Sequence, residues 1–232
     1  MTNITFLSDT HTKQHLIPMA DLPGGDILIH CGDITSRGYY EEATGFMRWF
    51  NRLDQYTHKV FIAGNHDFVF EKHLHLVPSI LALGPKVTYL QDSAVELEGI
   101  KIYGSPWQPE FYNWAFNLPR GGQELRDRWN AIPKDTDILV THGPPFGKLD
   151  VVPGVGQVRV GCEVLSELYA TKQLNPAIHA FGHIHCSYGT CGGHGGDTTF
   201  INASSLNEGY QYQNRPININ YDKSTGEIEF TY

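Results

Sequence analysis

Five times along this chain a strand-length apolar run stops on a short polar cluster. Asp9-Thr10-His11 follows Ile4-Thr5-Phe6-Leu7, and Gly32-Asp33 follows Ile27-Leu28-Ile29. Gly64-Asn65-His66-Asp67 follows Val60-Phe61-Ile62. His142-Gly143 follows Ile138-Leu139-Val140, and Gly182-His183-Ile184-His185 follows Ile178-His179-Ala180-Phe181. Short continuous apolar runs bounded by turn residues read as buried strands. In open α/β sheets, ligands gather where loops leave the carboxyl ends of such strands. Taken singly, Asp9 reads as a helix cap or turn residue and Asn65 as a turn. Five clusters, each in the same position relative to its strand, point to one shared site. Their Asp, His and Asn side chains are hard and borderline ligands of the kind Mn, Fe, Zn and Ni accept.

The remaining pattern alternates strand and helix. Strands are expected near 3–8, 26–31, 58–63, 94–97, 100–105, 137–142, 177–182, 198–202, 216–221 and 227–231, rich in Val, Ile, Phe and Tyr. Helices are expected near 39–53, 121–131 and 161–171. In the first, Ala43, Phe46, Met47, Phe50 and Leu53 fall on one face at spacings of three and four. The first half reads as βαβ units, which favours parallel strands. From about residue 86 the strands follow more closely and hairpins are expected. The chain, 1–232, is read as one domain: an α/β fold with two mixed sheets facing each other and helices outside.

At 232 residues the chain can bury a large core. Its net charge of −8 excludes a general binder of nucleic acid or of anionic membranes, since both attract basic surfaces. A small phosphate ester remains compatible, because bound dications reverse the local sign. No apolar stretch reaches membrane-span length and no signal-like segment opens the sequence, so a cytoplasmic location is expected. Four scattered cysteines do not make a disulfide framework.

The series D-x-H, G-D, G-N-H-D, H-G, G-H-x-H resembles the calcineurin-like metallophosphoesterase superfamily. Gly-Ser-Pro-Trp-Gln-Pro (104–109), Trp-Ala-Phe-Asn-Leu-Pro-Arg-Gly (114–121) and Arg-Val-Gly-Cys (159–162) are similar to its small metallophosphoesterase-domain-containing branch, the brain protein 239-like proteins. The resemblance implies a four-layer α/β/β/α sandwich and a dinuclear metal-dependent phosphodiesterase acting on small phosphodiesters such as cyclic nucleotides. It places Asp9, His11 and His185 on one divalent ion and Asn65, His142 and His183 on the other, with Asp33 bridging both. Manganese is the ion expected to support activity in vitro. It implies attack on phosphorus by a hydroxide shared between the ions, with His66 over the site as a non-ligating proton donor or electrostatic clamp, and Arg37 and Asn65 as phosphate contacts. A bridging ligand must present two oxygens, which Asp33 does.

His183 and His185 are two apart and would face opposite ways on a strand. The backbone therefore has to turn there for both to reach a metal, and Nδ1 as well as Nε2 is open as the ligating atom. One departure is visible. Phosphoprotein phosphatases read G-D-x-x-D-R-G where this chain has Gly32-Asp33-Ile34-Thr35-Ser36-Arg37-Gly38. Ser36 replaces the Asp that supports the catalytic His, leaving Asp67 or a backbone carbonyl to orient His66. Two other readings stand beside the diesterase: a phosphomonoesterase, including a protein phosphatase, and a nearly inert nucleotide-binding protein.

Outside the motifs, His30 and His179 lie in apolar strands and read as core. His15, His58, His73 and His75 read as surface. His194 sits in a glycine-rich loop, 186–197, where it is either exposed or within reach of substrate. Trp107, Phe111, Tyr112, Trp114 and Phe116 either pack their loop onto the body or stack on a nucleobase. Cys186 and Cys191 read as free thiols, with pairing or a structural metal shared with His194 as alternatives.

Overall fold

The computed structural model describes residues 1–231 apart from 154, 155, 157 and 194–196. Along the chain run β1 (Thr2–Leu7), β2 (Gly25–His30), α1 (Tyr40–Asn51), β3 (Tyr56–Phe61), α2 (Phe68–Lys72), α3 (Val77–Leu81), β4 (Val87–Tyr89), β5 (Ser93–Leu97) and β6 (Ile100–Ser105). There follow β7 (Gln108–Pro109), β8 (Asn117–Leu118), α4 (Gln123–Asn130), β9 (Ile138–Thr141), β10 (Val151–Val152), β11 (Val158–Arg159) and α5 (Glu163–Ala170). The chain closes with β12 (Ile178–Phe181), β13 (Gly189–Gly192), β14 (Thr199–Asn202), β15 (Ile217–Asp222) and β16 (Glu227–Thr231).

Twelve of these strands form two six-stranded sheets, ordered β16-β15-β1-β2-β3-β4 and β13-β14-β12-β9-β6-β5, and β7–β8 and β10–β11 make two small two-stranded ones. Strand periodicity sorts their side chains into three cores. Ile4, Phe6, Ile27, Ile29 and Val60 of the first sheet meet Ile102, Ile138, Val140, Ile178 and Ile201 of the second between the sheets. Leu7, Leu28 and Phe61 face the other way, against Phe46, Met47 and Phe50 of α1. Tyr103 and Leu139 pack outward onto Leu125 and Trp129 of α4 and Leu165 of α5. The result is the expected α/β/β/α sandwich.

Parallel pairing extends further than expected. β1 to β4 pair in parallel, but so do β6, β9, β12 and β14 in the second half. Within the two large sheets β5–β6 and β15–β16 are antiparallel hairpins, and β13–β14 and β1–β15 are also antiparallel. The helices α4 and α5 supply the crossovers that parallel strands require. The short α2 and α3 had no legible stripe, each spanning barely more than one turn. No helix among the described residues is long and apolar enough to cross a membrane.

His179 is buried on β12, as expected of a core histidine. Its Nε2 lies 2.8 Å from Thr141 Oγ1 and its Nδ1 2.8 Å from the Tyr169 hydroxyl. Burial pushes its pKa down to about 3, so the folded chain keeps the ring neutral. The unfolded chain protonates it near 6.5. The stability it contributes is therefore intact above about pH 6.5 and declines as pH falls toward 3. Linkage puts the loss at about 2 kcal/mol between pH 7 and pH 5. Urea denaturation of the metal-free protein at both pH values should show a smaller acid loss in His179→Asn than in wild type; identical acid losses would refute it.

Candidate metal centre

Each sheet contributes half of the centre. Asp9, Asp33 and Asn65 lie a few residues beyond β1, β2 and β3, while His142, His183 and His185 lie just beyond β9 and β12. The backbone leaves the strands sharply at these points. Asp9, His11, Asp33 and His183 all have positive φ, between 41° and 68°. Such conformations cost energy outside glycine and concentrate at functional sites. At His183, with φ of 68°, the turn brings both it and His185 toward the cluster. A side chain at position 182 would overlap the Asp9 carboxylate and the Ser8 hydroxyl, so only glycine fits there.

The sequence-predicted ligands are brought together. The ligand atoms of Asp9, His11 and His185 lie within 4.8 Å of one another, as do those of Asp33, His142 and His183. Asp33 stands between the groups, its Oδ2 3.5 Å from His11 Nε2 and 3.3 Å from His142 Nε2. Asn65 Oδ1 lies 2.9 Å from His142 Nε2. His66 falls in a third group with His11 and Asp33.

The hydrogen bonds leave acceptors facing acceptors. His11, His142 and His185 each donate Nδ1–H to a backbone carbonyl, of Thr35 at 3.2 Å, Cys31 at 2.9 Å and Asn207 at 3.1 Å. Each Nε2 lone pair is thereby aimed into the centre. His11 Nε2 and His185 Nε2 lie 3.4 Å apart, and His142 Nε2 faces oxygens of Asn65 and Asp33. Converging lone pairs and carboxylates repel unless a cation sits among them. These residues fit a pair of divalent ions, and His185 offers Nε2.

Charge balance says the same. Burial would push the Asp9 and Asp33 carboxyls up, but neighbouring histidines hold both well below the usual carboxylate range. Burial likewise opposes protonation of His142 and His185, yet Asp33 and Asp9 raise these to about 9. Burial lowers His11 to about 4 and His183 to about 3. Without cations, then, protons on His142 and His185 offset the two carboxylates. Dications replace such protons on binding.

His66 donates Nδ1–H to the Ser36 carbonyl at 2.7 Å and stacks on Trp114, ring centroids 4.0 Å apart. A backbone carbonyl thus does the orienting. Asp67 is occupied elsewhere, accepting from the amides of Ile34, Thr35 and Gly64 and from the Thr35 hydroxyl. It ties the loop after β2 to the loop after β3. Ser36 Oγ donates to the His11 carbonyl.

A cavity of about 400 Å³ opens above the centre. Arg37 is exposed and does not line it; its backbone amide is held by Glu42. Arg120 does line it, as do Phe111, Glu208 and Tyr210. Trp107 packs against Phe116 and Arg128, and Tyr112 points outward, 76% exposed. Cys186 and Cys191 are free thiols, and His194 lies outside the described residues.

Sequence reasoning missed the outer supports. Ser204 Oγ donates to Asp9 Oδ2 at 2.9 Å, and Tyr210 stands edge-on to His11 and His185. Ser204 follows β14 and pairs with Ser8 in an isolated parallel bridge. Its place after an apolar run was the one available signal, but a lone serine there is too common to single out.

The calcineurin-like phosphoesterase family model matches residues 2–187. Metallophosphoesterase domain-containing protein 1 of Homo sapiens is 44% identical over 239 residues, covering 94% of this chain and 70% of its own, and the Mus musculus protein matches equally. UPF0046 protein K07C11.7 of Caenorhabditis elegans is 36% identical, covering 96% of this chain and 76% of its own. The solved structure of TT1561 of Thermus thermophilus shares the fold, with a TM-score of 0.65 at 15% identity over 99% of this chain and 98% of that one. A two-sheet sandwich, five motifs converging at its strand ends and similarity along nearly the whole length identify the chain as a member of the calcineurin-like phosphoesterase family.

Proposed function

We propose that the protein is a phosphodiesterase for small phosphodiesters, cyclic nucleotides foremost, with two divalent ions held by Asp9, His11, Asp33, Asn65, His142, His183 and His185. The family supports metal-dependent phosphoester hydrolysis. Preference for a diester is carried by one observation, the charge of the cavity lining. Among the described residues its single guanidinium, Arg120, is bonded to Glu163 and to two carbonyls, and Glu208 adds a carboxylate. Arg37, the expected phosphate contact, does not line it. A monoester dianion carries more charge than a diester monoanion and would find no free arginine in this lining to compensate it.

When bound, two divalent ions supply Lewis acidity and lower the pKa of water near the phosphorus. The chain's own groups do the rest. Asp33 accepts from the His66 amide at 2.8 Å, which fixes His66 relative to the centre. With Nδ1–H anchored on Ser36 and the ring laid on Trp114, the imidazolium form of His66 has Nε2–H free to give its proton to the departing alkoxide, leaving the neutral ring with Nδ1–H still on Ser36.

Protein loaded with Mn²⁺ should hydrolyse bis(4-nitrophenyl) phosphate faster than 4-nitrophenyl phosphate, and chelation should abolish both activities. Faster turnover of the monoester would favour the phosphomonoesterase reading, and no turnover of either would exclude the catalytic one.

A further inference from the structure

The loop after β14 carries Glu208 and Tyr210 into the lining of the cavity above the centre. Neither belongs to the five motifs. Asn207 builds the turn that presents them. Its Oδ1 accepts from the amides of Gly209 at 2.9 Å and Gln211 at 3.0 Å, and its Nδ2 donates to Gln213 Oε1 at 2.9 Å. Its carbonyl accepts twice, from the Tyr210 amide at 2.8 Å and from His185 Nδ1–H at 3.1 Å. One carbonyl thus fixes Tyr210 relative to a side chain of the metal centre.

Tyr210 has φ of 56°, a left-handed conformation that is unfavourable for an aromatic residue and needs support from its surroundings. Lys13 supplies some, donating from Nζ to the Tyr210 carbonyl at 2.7 Å. The strained backbone delivers the ring to the centre, with its centroid 4.9 Å from that of His11 and 5.5 Å from that of His185. Burial first, then the carboxylates of Asp33 and Asp9, raise the pKa of its hydroxyl, so the group lies within reach of both charges. The same hydroxyl makes no hydrogen bond to any other described residue. A phenol O–H is an uncharged donor. No other group in the lining takes the part that Arg37 was expected to play: Arg37 lies outside it, and Arg120 is held by Glu163 and two carbonyls.

We propose that Tyr210 is a substrate contact whose hydroxyl donates to a non-bridging phosphoryl oxygen of the bound ester. This rests on the phosphoester reading above and adds the side chain that recognises the phosphoryl group where an arginine was expected. A neutral donor suits the single negative charge of a diester. Its hydrogen bond also strengthens as charge gathers on that oxygen during attack.

The test is Tyr210→Phe in the full chain loaded with Mn²⁺. Phenylalanine keeps the ring against His11 and His185 and removes only the hydroxyl, so the metal-to-protein ratio should match that of wild type. Calorimetric titration with inorganic phosphate should show binding weakened by about 10-fold, the share of one hydrogen bond to a charged group. The kcat/KM for bis(4-nitrophenyl) phosphate should fall by at least as much. Equal phosphate affinity in wild type and variant overturns the contact, whatever happens to turnover. Loss of metal from the variant overturns it too, since the hydroxyl would then serve the metal centre. Hydrolysis of bis(4-nitrophenyl) phosphate by wild type separates the failures: if it persists while phosphate affinity is unchanged by the substitution, the contact alone falls, and if it is absent, the phosphoester reading falls and the contact with it.

Discussion

Replacing His66 with alanine should leave the metal content of the protein unchanged and lower turnover by roughly 10²–10⁴-fold, the range general acid catalysis supplies. The basis is the arrangement of the ring, held at Nδ1 by the Ser36 carbonyl and on one face by Trp114, with Nε2 4.0 Å from Asp33 Oδ2. The loss should be largest for esters with basic alkoxide leaving groups, which need the proton. It should shrink for nitrophenolate, which departs unprotonated. An equal loss across leaving groups would assign His66 to electrostatic stabilisation. Because His66 also sits within ligand distance of His11 and Asp33, metal analysis of the variant is decisive in its own right. Loss of metal would make His66 a ligand and overturn its role as donor.

Asp33→Asn should be more damaging still. Asp33 Oδ2 lies between His11 of one group and His142 of the other, so its loss should reduce occupancy at both positions. Asn65→Ala, removing an oxygen beside His142 alone, should reduce occupancy at one. The activity loss in Asp33→Asn should exceed the roughly 10²–10⁴-fold expected of His66→Ala, well beyond the roughly 10–100-fold typical of losing an outer partner of a metal ligand. Stability should fall as well. Without metal, Asp33 is a buried carboxylate beside protonated His142, and removing one partner of such a pair should destabilise the apo protein. Wild type should gain about 2.7 kcal/mol from metal at a hundred times Kd, and the variant much less. Metal-to-protein ratios and thermal melts with and without Mn²⁺ read both effects. Full occupancy of both positions in Asp33→Asn would end the bridging assignment.

Residues acting at strand ends were legible in the sequence because each lies within a few positions of an apolar run. Asp9, Asp33, Asn65, His142, His183 and His185 all belong to this class, and the backbone turn needed at His183–His185 follows from their spacing of two. Residues acting from loops without such a marker were not legible. Arg37 follows a motif position, yet its placement depends on how the turn through Gly38 meets α1, where Glu42 takes its amide. Gln108, which lines the cavity, is held by Asn117, nine positions away across a parallel pair of two-residue strands. Ser204 reaches Asp9 across 195 residues. Local patterns carry strand and helix, whereas contacts over such separations are fixed only when the sheets close. The same limit explains the underestimated parallel pairing: β12 and β14 pair in parallel although separated by a single 3-10 turn, the short β13 and a loop rather than by an α-helix.

The separation between Asp9 and its partners sets an order of events during synthesis. Asp9 emerges early, but His183, His185 and Ser204, which hold and complete its half of the centre, come some 174 to 195 residues later. β1 itself, which carries Asp9, is flanked by β15, Ile217–Asp222. A nascent chain halted before His183 has metal-binding side chains but no geometry in which to use them. On the proposed function, ion capture is a late act of translation, and a ribosome-stalled fragment ending before His183 should be unable to hold metal at the Asp9 position.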